Sequence, residues 1–475
     1  LRVINPEHYF VLCDGRIIKD LHELIVTLKT IDKKTFEYHV TDQKNDFANW
    51  IRHVYRSNNV AEIISDYSHK EIPFIIKTIK KFMDERKILV VNAGSSSLKF
   101  QLIEIESRDL LMKGSITGMN TNQCLLSCII RDETITRNVS IKNHEESIQA
   151  VIDILLEKEA LGSVDEISAI GHRVVHGGEI YKKPVVITAE VIAKLTDLSA
   201  LAPLHNPSNV SCIMACQNKI GALQVAVFDT AFHSTIPKEK YLYGLPYEYY
   251  EKHSIRKYGF HGTSHEYIAS LVQEYYRIEK KKKTKIIICH LGNGSSITAV
   301  KDGKSLNTTM GFTPVDGLIM GTRVGHVDPV VSIHLGKHLN LSYDDMSRIL
   351  NKESGLLGIS GFSDMRLLWK NRKHPRCKLA IDMFIDRIVH YIGAYIAEMN
   401  GVDGIIFTAG IGENAQYIRK GVLEQFSYVG LKIDDKKNNN NEFIITRKDS
   451  KVDVFVIQTN EEIQIASKTQ KLLKL

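Results

Sequence analysis

The sequence predicts an α/β protein: a duplicated domain with a cleft between its two halves, preceded by a small, mostly helical N-terminal domain. Three observations carry this expectation. An apolar run that meets a Gly/Ser turn and continues as a second apolar run occurs at 88–105 and recurs at 286–300. Two copies of one design in a single chain point to duplication. Each opening run is continuously apolar, the pattern of a strand buried on both faces. Before residue 87 the apolar residues fall instead at helical spacing, which marks a different unit. At 475 residues, with about 150 residues per domain, three parts are expected: 1–86, 87–235, and 236–475 with its C-terminal segment returning to the first half.

Composition narrows the class. The chain is 43% hydrophobic and 25% charged, the balance of a folded globular protein. No apolar run approaches the ~20 residues that span a bilayer, so no membrane partner is expected. The first residues lack a basic flank followed by an apolar core, so no secretory signal is read there and a cytoplasmic protein is expected. Sixty-two basic against 55 acidic residues give +7, a mild excess over this length that does not call for nucleic acid. Among seven cysteines, Cys124/Cys128 and Cys212/Cys216 are each four apart, and no Cys-x-x-Cys pair accompanies them. Reduced, packed thiols are the expectation, not a metal site.

Within the N-terminal unit, residues 9–13 and 16–19 flank Asp14-Gly15 and read as two short strands joined by a tight turn. Leu21, Leu24, Ile25 and Leu28 mark a first helix. A second is expected over 46–55 with Asp46 as its N-cap, and a third over 72–83. The stretch NDFANWI resembles a small uncharacterised prokaryotic domain, a resemblance that implies no function; packing or oligomerisation is the expected role.

From residue 87 on, strands end in glycine turns. Residues 88–91 meet Asn92-Ala93-Gly94-Ser95-Ser96-Ser97 and continue at 98–105; residues 286–289 meet His290-Leu291-Gly292-Asn293-Gly294-Ser295-Ser296 and continue at 297–300. A third strand, 404–407, runs into a Gly410-x-Gly412 turn and then a helix. The basic run 280–283 reads as a solvated connection, and 436–441 (KKNNNN) as a polar turn before a strand at 443–446.

Closely spaced backbone N–H groups, serine hydroxyls and Lys99 around the first turn suit a phosphate. Its repetition at 290–296 suits successive phosphates of one nucleotide, and Gly410-x-Gly412 its nucleoside end. Neither turn has the strand–GxxxxGK[ST]–helix pattern, so this is no P-loop protein. Cationic and histidine-bearing segments follow: Arg173 after 167–170, His205 in Pro203-Leu204-His205-Asn206-Pro207, Asp229 at the end of 225–228, His261 and His265 in YGFHGTSH, and Arg323 in MGTRVGH. Arg173 could fork onto a carboxylate or a phosphate. Reactive side chains on loops above a rigid sheet are the usual arrangement. Two arginines, histidine donors, a carboxylate and phosphate turns are what phosphoryl transfer needs, since its transition state spreads negative charge over equatorial oxygens. Mg²⁺ needs only one or two carboxylates besides phosphate oxygens; Asp229 and the Glu461-Glu462 pair are candidates. No His-Glu-x-x-His set supports a zinc hydrolase.

In order, NAGSSSLKF, GHRVVHGGE, APLHNPSN, VFDTAFH, YGFHGTSH, HLGNGSS, MGFTPVDGLIMGTR, FTAGIGENA and TNEE resemble the motifs of the acetate kinase family from about residue 87 to 471. The resemblance implies an actin/hexokinase-like (ribonuclease H-like) duplicated fold. It also implies reversible transfer of the ATP γ-phosphoryl group to acetate, a carboxyl acceptor, giving acetyl phosphate and ADP by direct in-line transfer. It makes Asn92 and Glu461 the Mg²⁺ (or Mn²⁺) residues. Lys99, His290, Leu291, Gly292, Asn293, Gly294, Asp364, Met365, Arg366, Gly410, Ile411, Gly412, Glu413 and Asn414 become ATP contacts. Arg173 resembles the residue that binds the substrate carboxylate, and Asp229 the catalytic aspartate, as base or orienter. His261 and Arg323 resemble the transition-state stabilisers, with His205 in the same site. Val175, Leu204, Phe260 and Pro314 would line a small methyl pocket, and a homodimer is implied. Alternatives are a propionate or other short-chain acyl kinase, pyrophosphate as the donor, and a non-catalytic sensor of nucleotide or acyl phosphate. One departure from the family pattern is His326, where many relatives carry an acidic or small residue.

Overall fold

The computed structural model describes residues 8–55, 58–66, 71–84, 86–105, 109–131, 133–203 and 205–475. The chain divides into two units: residues 1–176, 183–228 and 462–475, and residues 177–182 and 229–461.

At the start of the first unit, Phe10–Val11 and Ile17–Ile18 pair antiparallel, with Phe10 opposite Ile18. Helices Leu21–Thr30, Lys33–His39, Asp46–Val54, Asn58–Ser65 and Ile72–Asp84 follow. Two of these, Lys33–His39 and Asn58–Ser65, have too few apolar repeats to be read from spacing. Asp20, Asp32 and Asn45 cap the first three through their side chains. The cap of Asp46–Val54 is therefore Asn45, not Asp46. Asn45 Oδ1 accepts from the Ala48 N–H at 3.0 Å, while Asp46 lies inside the first turn and pairs with His39 Nδ1 at 3.0 Å. Leu21, Leu24, Leu28, Phe47, Ile51, Ile75 and Ile79 form a core of their own.

The rest of the first unit is an eight-stranded sheet. Its centre is Lys87–Ala93, antiparallel to Ser97–Glu104 and parallel to Ile167–Val174. The latter is parallel in turn to Leu223–Phe228, and Leu110–Thr117 lies outside Ser97–Glu104. The second unit repeats the plan with five strands. Lys285–Leu291 is antiparallel to Ser295–Lys301, which pairs with Lys304–Thr308. On the other side Gly404–Thr408 and Asp453–Val456 run parallel. In both sheets an antiparallel meander, of five strands in the first and three in the second, leads into two parallel strands, so the duplication read from two turns is a duplication of topology. The parallel strands are mostly buried, and Gly404–Thr408 has no exposed position. No described helix is long and apolar enough to cross a membrane.

Three local expectations are corrected. Arg173 does not sit on a strand-end loop: the strand runs on to Val174, because parallel pairing continues through Arg173 opposite Val227 and Val174 opposite Phe228. Residues 409–414 form a short helix, Ala409–Asn414, not a turn. Residues 443–446 make only isolated bridges, and the polar run before them is partly helical, Asp435–Asn439, capped by Asp434.

Candidate functional site

In the first unit, parallel pairing sets Val91 opposite His172. The next residues, Asn92 and Arg173, are thereby neighbours, and Arg173 Nη1 donates to Asn92 Oδ1 at 3.4 Å. Two asparagines from the HNPSN segment hold this strand end. Asn209 accepts from the Val175 N–H at 3.1 Å and donates to the Ala93 carbonyl at 2.8 Å. Asn206 accepts from the His176 N–H and donates to the His176 carbonyl, at 3.2 and 3.1 Å. Both are buried, where unpaired amide groups would be costly, so they lock the backbone carrying Arg173 and Val175. His205 is the N-cap residue of helix Asn206–Lys219. Leu204 lies outside the described residues. Lys99 stands opposite Asn92 across the antiparallel pair, on an exposed position.

In the second unit, Asp229 is fully buried. Its Oδ2 accepts from the His261 N–H at 2.9 Å, its Oδ1 from the Thr263 N–H at 3.4 Å, and its carbonyl from the Gly262 N–H at 2.9 Å. The carboxylate thus serves the first amides of helix Gly262–Ile278, as an anion at a helix N-terminus should. A Cβ on Gly262 would fall 2.1 Å from the Asp229 carbonyl oxygen, so only glycine permits this approach. His261 itself adopts φ +56°, a left-handed conformation that costs a non-glycine residue energy and clusters at functional sites.

His261 belongs to a relay. Its Nδ1 lies 2.9 Å from Ser296 Oγ, and the same oxygen lies 2.7 Å from His265 Nε2. His265 is fully buried, and burial together with neighbouring histidines pushes its pKa far below the ordinary value, so it is neutral. Its Nδ1 has no partner among the described residues. A bare lone pair is tolerated there better than an unpaired N–H, so the hydrogen sits on Nε2 and is donated to Ser296. Ser296 in turn donates to His261 Nδ1, which leaves the ring hydrogen of His261 on Nε2. The ring stacks on His290 with centroids 4.3 Å apart, and His290 Nδ1 is bonded to Ser264 Oγ at 2.8 Å.

His261 and Arg323 meet at Gly294. A Cβ on that glycine would lie 3.2 Å from His261 Nε2 and 3.5 Å from Arg323 Nη1. Two donors therefore converge on a point that only a missing side chain keeps open. Arg323 Nη1 also reaches the Pro314 carbonyl at 3.4 Å. His233 is neutral as well: burial lowers its pKa to about 4. Its Nε2 donates to the Phe260 carbonyl at 2.9 Å, and its Nδ1 accepts from Ser305 Oγ at 2.9 Å, which fixes the backbone just before His261.

Other predicted contacts divide. Leu291 and Met365 place their side chains in the hydrophobic core, which leaves their main chain for any ligand. Asp364 and Arg366 pair with each other at 2.6 Å, and Asp364 caps helix Met365–Lys370. Glu413 Oε1 accepts from the Thr459 N–H at 3.2 Å, and Thr459 Oγ1 is 2.7 Å from Ser264 Oγ; these fix the approach to Glu461. His326 pairs with Asp316 at 3.6 Å on the surface. Sequence reasoning missed Arg419, which is fully buried. Its Nε donates to Asn438 Oδ1; Nη1 to the Gly412 and Glu413 carbonyls; Nη2 to the Asn438 carbonyl and Asn441 Oδ1, all between 2.6 and 2.9 Å. The KKNNNN run is the cradle of a cation that pins the 409–414 helix. The assignments of Ser296 and His265 were missed too, although the i, i+4 spacing of two histidines was a usable signal.

A model of the acetokinase family matches residues 87–467. The chain belongs to the acetokinase family. It is 46% identical over 396 residues to the acetate kinase of Clostridium novyi, covering 82% of this chain and 98% of that protein. It is 48% identical over 398 residues to that of Thermoanaerobacterium thermosaccharolyticum, covering 82% and 99%. Among solved structures, Porphyromonas gingivalis acetate kinase is similar at 40% identity, covering 82% of this chain and 100% of that one with a TM-score of 0.77. A propionate kinase from Francisella tularensis matches at 42%, covering 81% and 99%, also with a TM-score of 0.77. The acetokinase fold is thus that of residues 87–467, and the helical N-terminal unit lies outside the family match. The family makes this chain a nucleotide-using kinase.

Proposed function

We propose that the chain transfers the γ-phosphoryl group of ATP to acetate, reversibly and in line, giving acetyl phosphate and ADP. The observation that carries this reading is the convergence of His261 Nε2 and Arg323 Nη1 at Gly294, inside a chain of the acetokinase family. Donors fixed in advance where charge develops are the main source of catalysis in phosphoryl transfer. The Ser296 relay gives His261 the tautomer that donates from Nε2. Arg323 supplies a permanent charge, and Arg173 a fork for the acetate carboxylate. Asp229 acts by orienting: its carboxylate is already engaged by the amides of His261 and Thr263. Val175 and Phe260, both buried, with Leu204 and Pro314, would bound the methyl group, and His205 belongs to the same reading. The 285–301 hairpin turn, the 409–414 helix, Lys99 and 364–366 would hold the nucleotide.

Magnesium is the proposed metal. Asn92 and Glu461 offer only oxygen donors, which suits a hard cation that keeps most of its remaining sites for water and phosphate. When bound, the ion neutralises phosphate charge. The three-part organisation 1–86, 87–235 and 236–475 belongs to the same proposal; clustering of residues 462–475 with the first unit supports the returning C-terminal segment. A homodimer is also proposed. Val330, Ile333, Leu339 and Tyr343 are exposed, Tyr343 at 85%, on helices Pro329–His338 and Tyr343–Arg348 and the connection between them. An apolar surface of this kind fits a second copy. Light scattering on an Ile333→Asp variant is expected to show loss of the dimer.

The test is acyl-phosphate formation trapped with hydroxylamine, using Mg-ATP with formate, acetate, propionate and butyrate. Acetate is expected to be the best acceptor. Propionate, longer by a methylene worth only about 1–3 kcal/mol, is expected to be the next. A larger kcat/KM for propionate would move the assignment to a propionate kinase. No acyl phosphate from any acid would overturn the kinase reading in favour of a sensor.

A further inference from the structure

Two of the seven cysteines acquire a partner that the sequence hides. Cys212 and Cys216 are four apart on helix Asn206–Lys219 and so share one face. That face packs in the same core as Ile170, a residue of strand Ile167–Val174. Side chains alternate along a strand, so His172 lies on the face of Ile170. Gly171 lies on the other, where a Cβ would meet Ile465 at 2.7 Å. Arg173, which bonds Asn92, shares that opposite face. One ring nitrogen of His172 and the two Sγ atoms lie within 4.8 Å of one another. All three residues are buried, at 2%, 1% and 0% exposure.

We propose that His172, Cys212 and Cys216 form a binding site for a divalent thiophilic cation of the zinc class, distinct from the phosphoryl-transfer machinery. Nitrogen and sulfur are the ligands zinc prefers, with Zn–S near 2.3 Å, so a tetrahedral ion would hold its two sulfurs ~3.8 Å apart; the cluster needs only a small contraction. Two thiolates balance the charge of a divalent ion, which a buried site requires. Two protons leave the thiols as the ion enters, and no electron changes hands. A disulfide fits worse: helix residues at i, i+4 have Cβ atoms ~5–6 Å apart, against the ~3.5–4.5 Å a disulfide needs. The outer contact is also present. The Gln224 side-chain amide lies 2.7 Å from His172 Nε2. In the orientation that satisfies its hydrogen bonds it donates to Nε2 and to the Ile213 carbonyl and accepts from the Gln217 N–H; a half-turn of the amide would let its oxygen accept from an Nε2–H when Nδ1 binds the ion. Three protein ligands leave a fourth position to a small exogenous ligand.

Full-length protein expressed with supplemented zinc, then passed over a chelating resin, is analysed for metal and by zinc K-edge absorption. One tightly held zinc per chain is expected, with two sulfurs in its shell at about 2.3 Å, and its loss in C212S/C216S. Absence of zinc, a shell with fewer than two sulfurs, or zinc retained by the double variant would overturn the proposal. The edge spectrum of the wild-type chain decides the matter even where the variant does not fold.

Discussion

Ser296 is a small residue with a large lever, because one hydroxyl decides the tautomer of His261 through His265. Ser296→Ala is expected to lower kcat by roughly 10- to 100-fold, about 1.4–3 kcal/mol, with little change in KM for acetate. An unchanged kcat would dismiss the relay. Arg323→Ala should cost more, about 10²–10³ in kcat, the scale for removing a transition-state donor; steady-state acyl-phosphate kinetics would show it. His233 yields a pH prediction. Its pKa is about 4 when folded against about 6.5 unfolded. Between those values the unfolded chain takes up a proton that the folded chain refuses. Stability therefore falls as pH drops through that window, by up to about 3 kcal/mol from this group, and the contribution levels off below. Urea unfolding at pH 7 and 4.5 should show a smaller drop in His233→Gln than in wild type. The residue types at these positions were legible, since His, Arg and Asp among glycines mark chemistry. The relay was not, because Ser296 and His265 meet through a sheet and a helix whose packing no local pattern records.

At the scale of elements, the strand–turn–strand design was readable twice because continuous apolar runs and Gly/Ser turns are local features. The helix Ala409–Asn414 was misread as a turn because its glycines disfavour helix; what holds it is Arg419, distant in sequence. Asn438→Ala would remove one acceptor from a buried cation and leave an Nε–H unpaired. A loss of about 1–3 kcal/mol is expected in denaturant unfolding, with a rise in KM for ATP. A variant as stable as wild type would show that the asparagine run is only a connection. Asn45 in place of Asp46 as a cap illustrates a smaller limit: neighbouring cap-forming residues cannot be ranked from spacing alone, and here His39 claims Asp46.

For the whole molecule, the N-terminal unit has its own core and precedes the family match. Deleting residues 1–84 keeps buried Arg86, whose carbonyl accepts from the Ile105 N–H at 3.0 Å. The shortened chain is expected to fold and to keep kcat within about two-fold, a difference well under 1 kcal/mol. A large loss would make the N-terminal unit part of the catalytic apparatus. A change of periodicity separates this unit from the rest in the sequence and a repeated turn marks the duplicated sheets; residues 462–475, the segment expected to return to the first half, cluster with the first unit through packing that no local pattern records. Transfer of a phosphoryl group from nucleotide to acetate is read out by phosphorus NMR of the full chain with Mg-ATP and acetate. An acetyl phosphate signal is expected to grow at the rate the ATP γ-phosphorus signal declines. Release of inorganic phosphate without acetyl phosphate, or ATP left unconsumed by folded protein, would contradict it.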